Sequence, residues 1–330
     1  MGKSIFFIFI MLLVACSPRS QQMSSLKGSA LGTTYTIQYL ASDLEQNKIK
    51  PGLDSLFTVI NASMSTYIAS STLSKINKGD SLVIVDQHFK KVFNLSDKIW
   101  NVTSGYFDPT VGRLVNAYGF GPEKREESLS VTERDSLLQI TGWDKITLTP
   151  TGQVRKTHPF IYIDFNAIAK GYTVDVISDY LATLGSQNHL VEIGGEIRVK
   201  GLNPVSAKPW RIGIDRPVIG QRKIQAVAQL SQGAMATSGN YRKYRIDSLT
   251  GKKYVHSINP KNGLPVRSSI LSVSVKAPSC AMADAFATAL MVMPFDQGKE
   301  IVAADQQLEA YWILAGQDGQ FKEISSRGWE

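Results

Sequence analysis

The sequence predicts an α+β (mixed α/β) fold in which a largely antiparallel sheet core is flanked by helices. Two observations carry this. Segments with helical and with alternating apolar spacing interleave along the chain, and a run of consecutive strand patterns occupies residues 189–275. Consecutive strands without crossover helices exclude a doubly wound parallel sheet.

Taken in order, "KGSALGTTYTIQYL" sets Tyr35, Ile37 and Tyr39 against polar neighbours, a strand reached through a glycine-containing turn. A helix is predicted from Pro51 to Ser63, with Leu53, Leu56, Phe57 and Ile60 on one face. A second spaces Phe89, Val92, Phe93 and Ile99 and stops at Gly105. "PFIYIDF" reads as a strand and "IAKGYTVDVISDYLATLGS" as a long helix ending at Gly185. Short strands follow at "HLVEIGG", "EIRVKG", "WRIGI", "IQAVAQL", "GAMATSG" and "SILSVSV". "SCAMADAFATALMVM" is a buried helix capped by Ser279. A helix over 296–304 and the strands "EAYWILA" and "FKEI" close the chain.

The first residues are processing signals rather than fold. Lys3 precedes an apolar stretch from Ile5 to Val14, too short to cross a bilayer as a structural helix. The following "LVAC" resembles a bacterial lipobox, in which Cys16 is acylated; an ordinary secretory signal with a coincidental cysteine is the alternative. Residues 1–15 are therefore expected as a signal peptide, 16–25 as a lipid-anchored tether, and 26–330 as one domain or two intimate subdomains. The expected location is the cell envelope, membrane-anchored and facing the periplasm, at the inner membrane.

Cleavage leaves a single cysteine, Cys280, which excludes an intramolecular disulfide and suits a small buried hydrophobe. The formal charge of +8 falls to +7 when Lys3 leaves. Lys and Arg are scattered, without a run or an aromatic-interleaved stripe, so nucleic-acid binding has no support, whereas an anionic small ligand remains compatible.

The chemistry begins with Asp284 and Thr288. An ionised carboxylate inside an apolar helix costs several kcal/mol without a partner. Four residues apart, the two side chains share a helix face and suit a hard cation such as Mg²⁺. Loop capping by the acid and back-bonding by the hydroxyl are the alternative. "DFNAIAKGY" runs from strand to helix through small residues, a junction whose N–H groups can donate to a phosphate; a plain strand–helix connection is the alternative. Lys170 in that first turn opposes the helix dipole and calls for an anion in front of it. His256 precedes a Pro/Gly turn in "VHSINPKNGLPV", where surface and turn histidines are also common. "MSTY" offers Tyr67 for stacking or packing. "TSGYFDPTVGRL" carries Asp108 in a further glycine turn, and "TSGNY" is another turn of that kind.

In order, "GSALGTTYTI", "MSTY", "TSGYFDPTVG", "AYGFG", "IDFNAIAKGYTVD", "VEIGGEI", "ATSGNY", "HSINPKNGLPV" and "ADAFATAL" resemble the ApbE-type flavin transferases over nearly the whole mature chain. The resemblance implies transfer of FMN from FAD, with Mg²⁺, to a Thr or Ser of an envelope flavoprotein bearing a D-x-x-[ST]-[GA]-A-T-like motif. AMP is released. It implies Asp284, Thr288 and the Ala167 carbonyl as metal ligands. Tyr67 would lie against the flavin and Leu31, where relatives have Met, would supply an apolar contact. Tyr106, Phe107 and Asp108 would line the nucleotide site, and Lys170 with His256–Ile258 would face cofactor or phosphate. Asn166 stands where Gly is frequent, and some relatives carry an acid at the position of Lys170. His256 is the candidate base for the attacking hydroxyl. FAD pyrophosphatase activity and non-catalytic FAD binding are the competing functions.

Overall fold

The computed structural model describes residues 22–42, 44–123, 129–218, 220, 223–240, 244–246, 253–316 and 320–329. Cys16 and the signal segment lie outside them. The chain begins with a hairpin of β1 (Met23–Ala30) and β2 (Thr33–Leu40). Helices α1 (Gln46–Met64), α2 (Thr72–Asn77), α3 (Gln87–Val102), α4 (Gly112–Ala117) and α5 (Val131–Gln139) follow, then β3 (Ile146–Leu148), β4 (Val154–Lys156) and α6 (Ala169–Thr183). The strand-rich stretch comprises β5 (His189–Ile193), β6 (Glu196–Lys200), β7 (Trp210–Asp215), β8 (Ile224–Leu230), β9 (Gln232–Gly239), β10 (Tyr244–Ile246), β11 (Lys253–Val255), β12 (Ile258–Asn259), β13 (Leu264–Pro265) and β14 (Ile270–Ala277). Then come α7 (Cys280–Val292), α8 (Phe295–Ala304), β15 (Glu309–Ala315) and β16 (Phe321–Ser325).

Eight strands form one sheet in the order β1-β2-β5-β6-β9-β14-β15-β16. Every neighbouring pair is antiparallel, as consecutive strands predict. Both faces are covered. Val273, Val275, Ala310 and Trp312 pack with α7 in the largest apolar cluster. On the other face Val199, Met235, Tyr311 and Ile313 meet Trp210, Ile212 and Ile214 of the β7–β8 hairpin. That double burial accounts for the near-continuous burial of β14.

Helix α7 is buried almost all round. Its alanines admit close neighbours: a Cβ on Gly171 of α6 would stand 2.3 Å from the Cys280 carbonyl oxygen. The two helices are tied by Asp175 of α6, whose carboxylate accepts the Cys280 and Ala281 N–H groups at 2.8 and 2.9 Å. These are free donors at the start of α7, where a negative charge is favoured. Ser279 caps the same end by accepting from the Met282 N–H, as the sequence indicated. Cys280 is a buried free thiol.

Three expectations are corrected. The tether expected to residue 25 is shorter, because Met23 already pairs with Leu40 in β1. Helix α1 starts at Gln46 and includes Pro51, rather than beginning there. "PFIYIDF" is not a strand; it makes one bridge, Tyr162 to Val111. Side chains and loops meet its backbone instead: Asn77 bonds both the N–H and the C=O of Ile163 at 2.8 Å, Lys156 Nζ donates to the Ile161 carbonyl at 3.0 Å, and the Asp164 N–H reaches Pro109 O at 2.7 Å. The run reads as a strand because it is buried, and buried backbone needs partners without needing a ladder.

Among the described residues no helix is long and apolar enough to cross a membrane. The α6–α7 contact yields a test. Gly171→Ala forces the helices apart at backbone and is expected to lower stability by about 1–3 kcal/mol, measured by chemical denaturation; unchanged stability would contradict the close approach.

Candidate active site

At the N-terminus of α6 three elements converge. Asp284 of α7, 3% exposed, accepts the Gly171 N–H at 3.1 Å and lies 3.7 Å from Lys170 Nζ. Lys170 Nζ in turn lies 2.7 Å from Glu196 Oε1. The partner demanded by the buried acid is thus an ammonium and a backbone donor on consecutive residues of α6.

Strand parity brings Glu196 there. Alternate residues of β6 share a face, so Glu196 meets Lys170 while Arg198, two residues on, meets Asp175 at 3.0 Å and Asp179 at 3.1 Å. Glu196 follows the Gly194–Gly195 turn, with φ of 62° and 107°, a conformation that glycine adopts without strain. A Cβ on Gly194 would come within 2.9 Å of Thr33 Cγ2, so this turn abuts the β1–β2 turn.

The cluster holds two carboxylates against one ammonium. Burial raises the Asp284 carboxyl above its usual range, against the pull of Lys170 and the Gly171 N–H. Burial likewise raises Glu196, to about 7, opposed by Lys170. For Lys170, burial acts downward, but Asp284 and Glu196 outweigh it and raise the ammonium. Glu196 Oε2 is buried without a hydrogen-bond partner. Two carboxyl groups against one ammonium, with a spare acceptor, describe a site with capacity for another cation.

Two further oxygens bear on that capacity. Because the Gly171 N–H is directed to Asp284, no backbone N–H among the described residues donates to the Ala167 carbonyl four residues earlier. Thr288 lies one turn beyond Asp284 on α7, half-buried, its Oγ1 3.5 Å from Ser238 Oγ of β9. Carboxylate, carbonyl and hydroxyl are the oxygen donors that Mg²⁺ takes. No group of three His, Cys, Asp or Glu side chains suited to a metal occurs among the described residues.

The remaining expected residues divide. Leu31 sits half-buried in the β1–β2 turn at φ 52°, a left-handed conformation costing about 1–2 kcal/mol for a non-glycine residue; strain of this kind clusters at ligand sites. Tyr67 is 65% exposed, and desolvation, with the Asp164 carboxylate as a smaller contribution, raises its phenol. Tyr106 is half-buried beneath Lys261 Nζ, 4.3 Å from its ring centre. His256 is half-buried, edge-on to Phe120 at 6.4 Å. Next to it Ser257 Oγ donates to Asn240 Oδ1 at 2.8 Å, which joins the segment to the end of β9 two residues past Ser238.

The side chains of Phe107, Asp108 and Ile258 are all taken up by the scaffold. The Phe107 side chain belongs to the main core. Asp108 accepts four hydrogen bonds, from the Thr110 N–H and Oγ1 and from Trp100 Nε1 and the Trp143 N–H, so its carboxylate is engaged within the scaffold. The Ile258 side chain packs with Leu114 and Tyr118, leaving only backbone to face a ligand. Sequence reasoning passed over Glu196, although the alternation of Glu196 and Arg198 opposite Lys170 and Asp175 was a readable signal.

A pH test follows from Glu196. With its carboxyl near 7 when folded against an ordinary 4.5, the folded state retains a proton that the unfolded chain has released. That contribution is full below about 4.5 and is lost as pH rises through 7. Glu196→Gln removes it, so the variant's thermal midpoint should gain on that of wild type between pH 4.5 and 8; a constant difference would contradict the assignment.

A model of the ApbE family matches residues 31–312. The FAD:protein FMN transferase of Vibrio cholerae is 38% identical over 322 residues, covering 96% of this chain and 94% of the relative. That of Haemophilus influenzae is 36% identical over 335 residues, covering 98% and 96%. Among solved structures, the flavin transferase ApbE from Vibrio cholerae superposes with a TM-score of 0.84 at 37% identity, over 94% of this chain and 98% of that one. The apo flavinyl transferase ApbE of Pseudomonas stutzeri gives 0.82 at 27% identity, over 93% and 95%. Whole-length similarity in sequence and in fold, on top of the convergence of Asp284, Lys170 and Glu196, establishes that the chain belongs to the ApbE family.

Proposed function

We propose that the protein is an Mg²⁺-dependent FAD:protein FMN transferase, acting on a Thr or Ser of an acceptor flavoprotein with a D-x-x-[ST]-[GA]-A-T-like motif. One observation carries the reading: the buried, charge-deficient cluster of Asp284, Lys170 and Glu196 beside the undonated Ala167 carbonyl at a helix N-terminus. Asp284, Thr288 and Ala167 O would hold the ion, which neutralises charge on the diphosphate when bound.

In the reaction the acceptor hydroxyl oxygen forms a bond to the flavin-side phosphorus. The bond from that phosphorus to the bridging oxygen breaks, and AMP leaves with the electron pair. His256 takes the hydroxyl proton, a role open to an imidazole, which can accept a proton on one ring nitrogen. Lys170 keeps a positive charge in the neighbourhood of the phosphates, where phosphoryl transfer needs charge stabilisation more than covalent help. The exposed ring of Tyr67 is available to stack on the flavin, and Leu31 offers an apolar edge. Tyr106 is the nucleotide-side aromatic, whereas Phe107 and Asp108 shape the loop from beneath.

The lipobox supports anchoring through Cys16 in the envelope, facing the periplasm. Six residues separate Cys16 from Met23, a reach of roughly 20 Å when extended, which keeps the domain close to the membrane that carries its acceptors.

Incubation with FAD, Mg²⁺ and an acceptor bearing the threonine motif, read by mass spectrometry, should show addition of one FMN phosphoryl unit to the threonine. Free FMN without a modified acceptor would instead indicate a pyrophosphatase, and bound FAD without turnover a carrier. Asp284→Ala should abolish transfer. His256→Asn should slow it by about 10²–10⁴-fold and flatten its pH profile; full turnover across pH would remove His256 as the base.

A further inference from the structure

Resting on the metal reading above, Lys170 and Glu196 acquire a role beyond general charge balance. Lys170 Nζ is shared unequally, 2.7 Å from Glu196 and 3.7 Å from Asp284. It is the only cation that the described ion pairs place on Asp284. A divalent ion on Asp284 with the ammonium still beside it would put two cations in contact in a buried site, where like charges repel strongly. The ammonium therefore has to withdraw, and it has somewhere to go. Glu196 already holds it at close range, and Glu196 Oε2 is buried without a partner. Gly194 adjoins that oxygen, a Cβ there reaching ordinary contact with it at 3.4 Å. A lysine stem is flexible and its three donors rotate freely.

We propose that Lys170 is the resident counter-ion of Asp284, displaced by the divalent ion onto Glu196. Glu196 is thus a positioning residue that lets Asp284 change cations without a charge in the cluster being left unpaired. Without Glu196 the ammonium has no second carboxylate and stays on Asp284 as a competitor. Without Lys170 there is no competitor, and Glu196 loses its influence on the metal.

This is a statement of non-additivity, and a double-mutant cycle reads it. Mn²⁺ is titrated by electron paramagnetic resonance at pH 8, without FAD, into wild type, Glu196→Gln, Lys170→Met and the double variant. Glu196→Gln should weaken Mn²⁺ binding by about tenfold or more, and Lys170→Met should tighten it several-fold. In the Lys170→Met background, Glu196→Gln should change affinity by less than about twofold. Equal weakening by Glu196→Gln in both backgrounds would mean simple through-space attraction and overturn the exchange, as would weaker binding by Lys170→Met. Absence of Mn²⁺ binding by wild type would overturn the metal reading itself, a distinguishable result. Should Lys170→Met not fold, Lys170→Gln, which still hydrogen-bonds Glu196, is read in the same way.

Discussion

A carboxylate sealed inside an apolar helix is the constraint around which this molecule is arranged. Asp284 is 3% exposed, and desolvating an unpaired carboxylate costs several kcal/mol even after relaxation. The fold answers with a lysine at a helix N-terminus, where the dipole disfavours it, and a second buried carboxylate to hold that lysine. Buried ion clusters are seldom more stable than apolar residues of the same volume. Their presence where two glycine-bearing turns and a helix start meet marks a site kept for chemistry rather than for stability.

The scaffold supplies the precision such a cluster requires. Gly171 lets α6 approach α7 until backbone meets backbone, and the same residue turns its N–H toward Asp284 instead of completing its own helix. Asp175 fixes the other end of the contact by capping α7 and pairing with Arg198. One helix–helix contact thus sets the position of the acid, frees the Ala167 carbonyl and points Lys170 at β6. Transfer at phosphorus depends chiefly on placing charge and nucleophile, and this geometry places charge.

Much of this could be read from residues alone. The antiparallel sheet followed from consecutive strand patterns, and the buried Asp284 signalled that a partner had to exist. Lys170 at a helix start signals an anion in front of it, and Glu196 and Asp284 stand there. Glu196 escaped notice because a strand-initial acid normally faces water, and only the pairing of β6 with its neighbours sets which face α6 covers. "PFIYIDF" misled because burial alone gives the apolar signal of a strand, whereas the side chains meeting its backbone, Asn77 and Lys156, come from distant positions. Phe107 and Asp108 lie in the family's motif, and their side chains hold the loop's shape from inside, a role that residue type alone does not reveal.

The anomalous scattering of manganese in crystals grown with FAD tests the central claim most directly. The account places one peak within coordination distance of the Asp284 carboxylate, Thr288 Oγ1 and the Ala167 carbonyl oxygen, with the FAD diphosphate against it. A peak elsewhere, or a diphosphate bound while Asp284 remains paired to Lys170 alone, would contradict it.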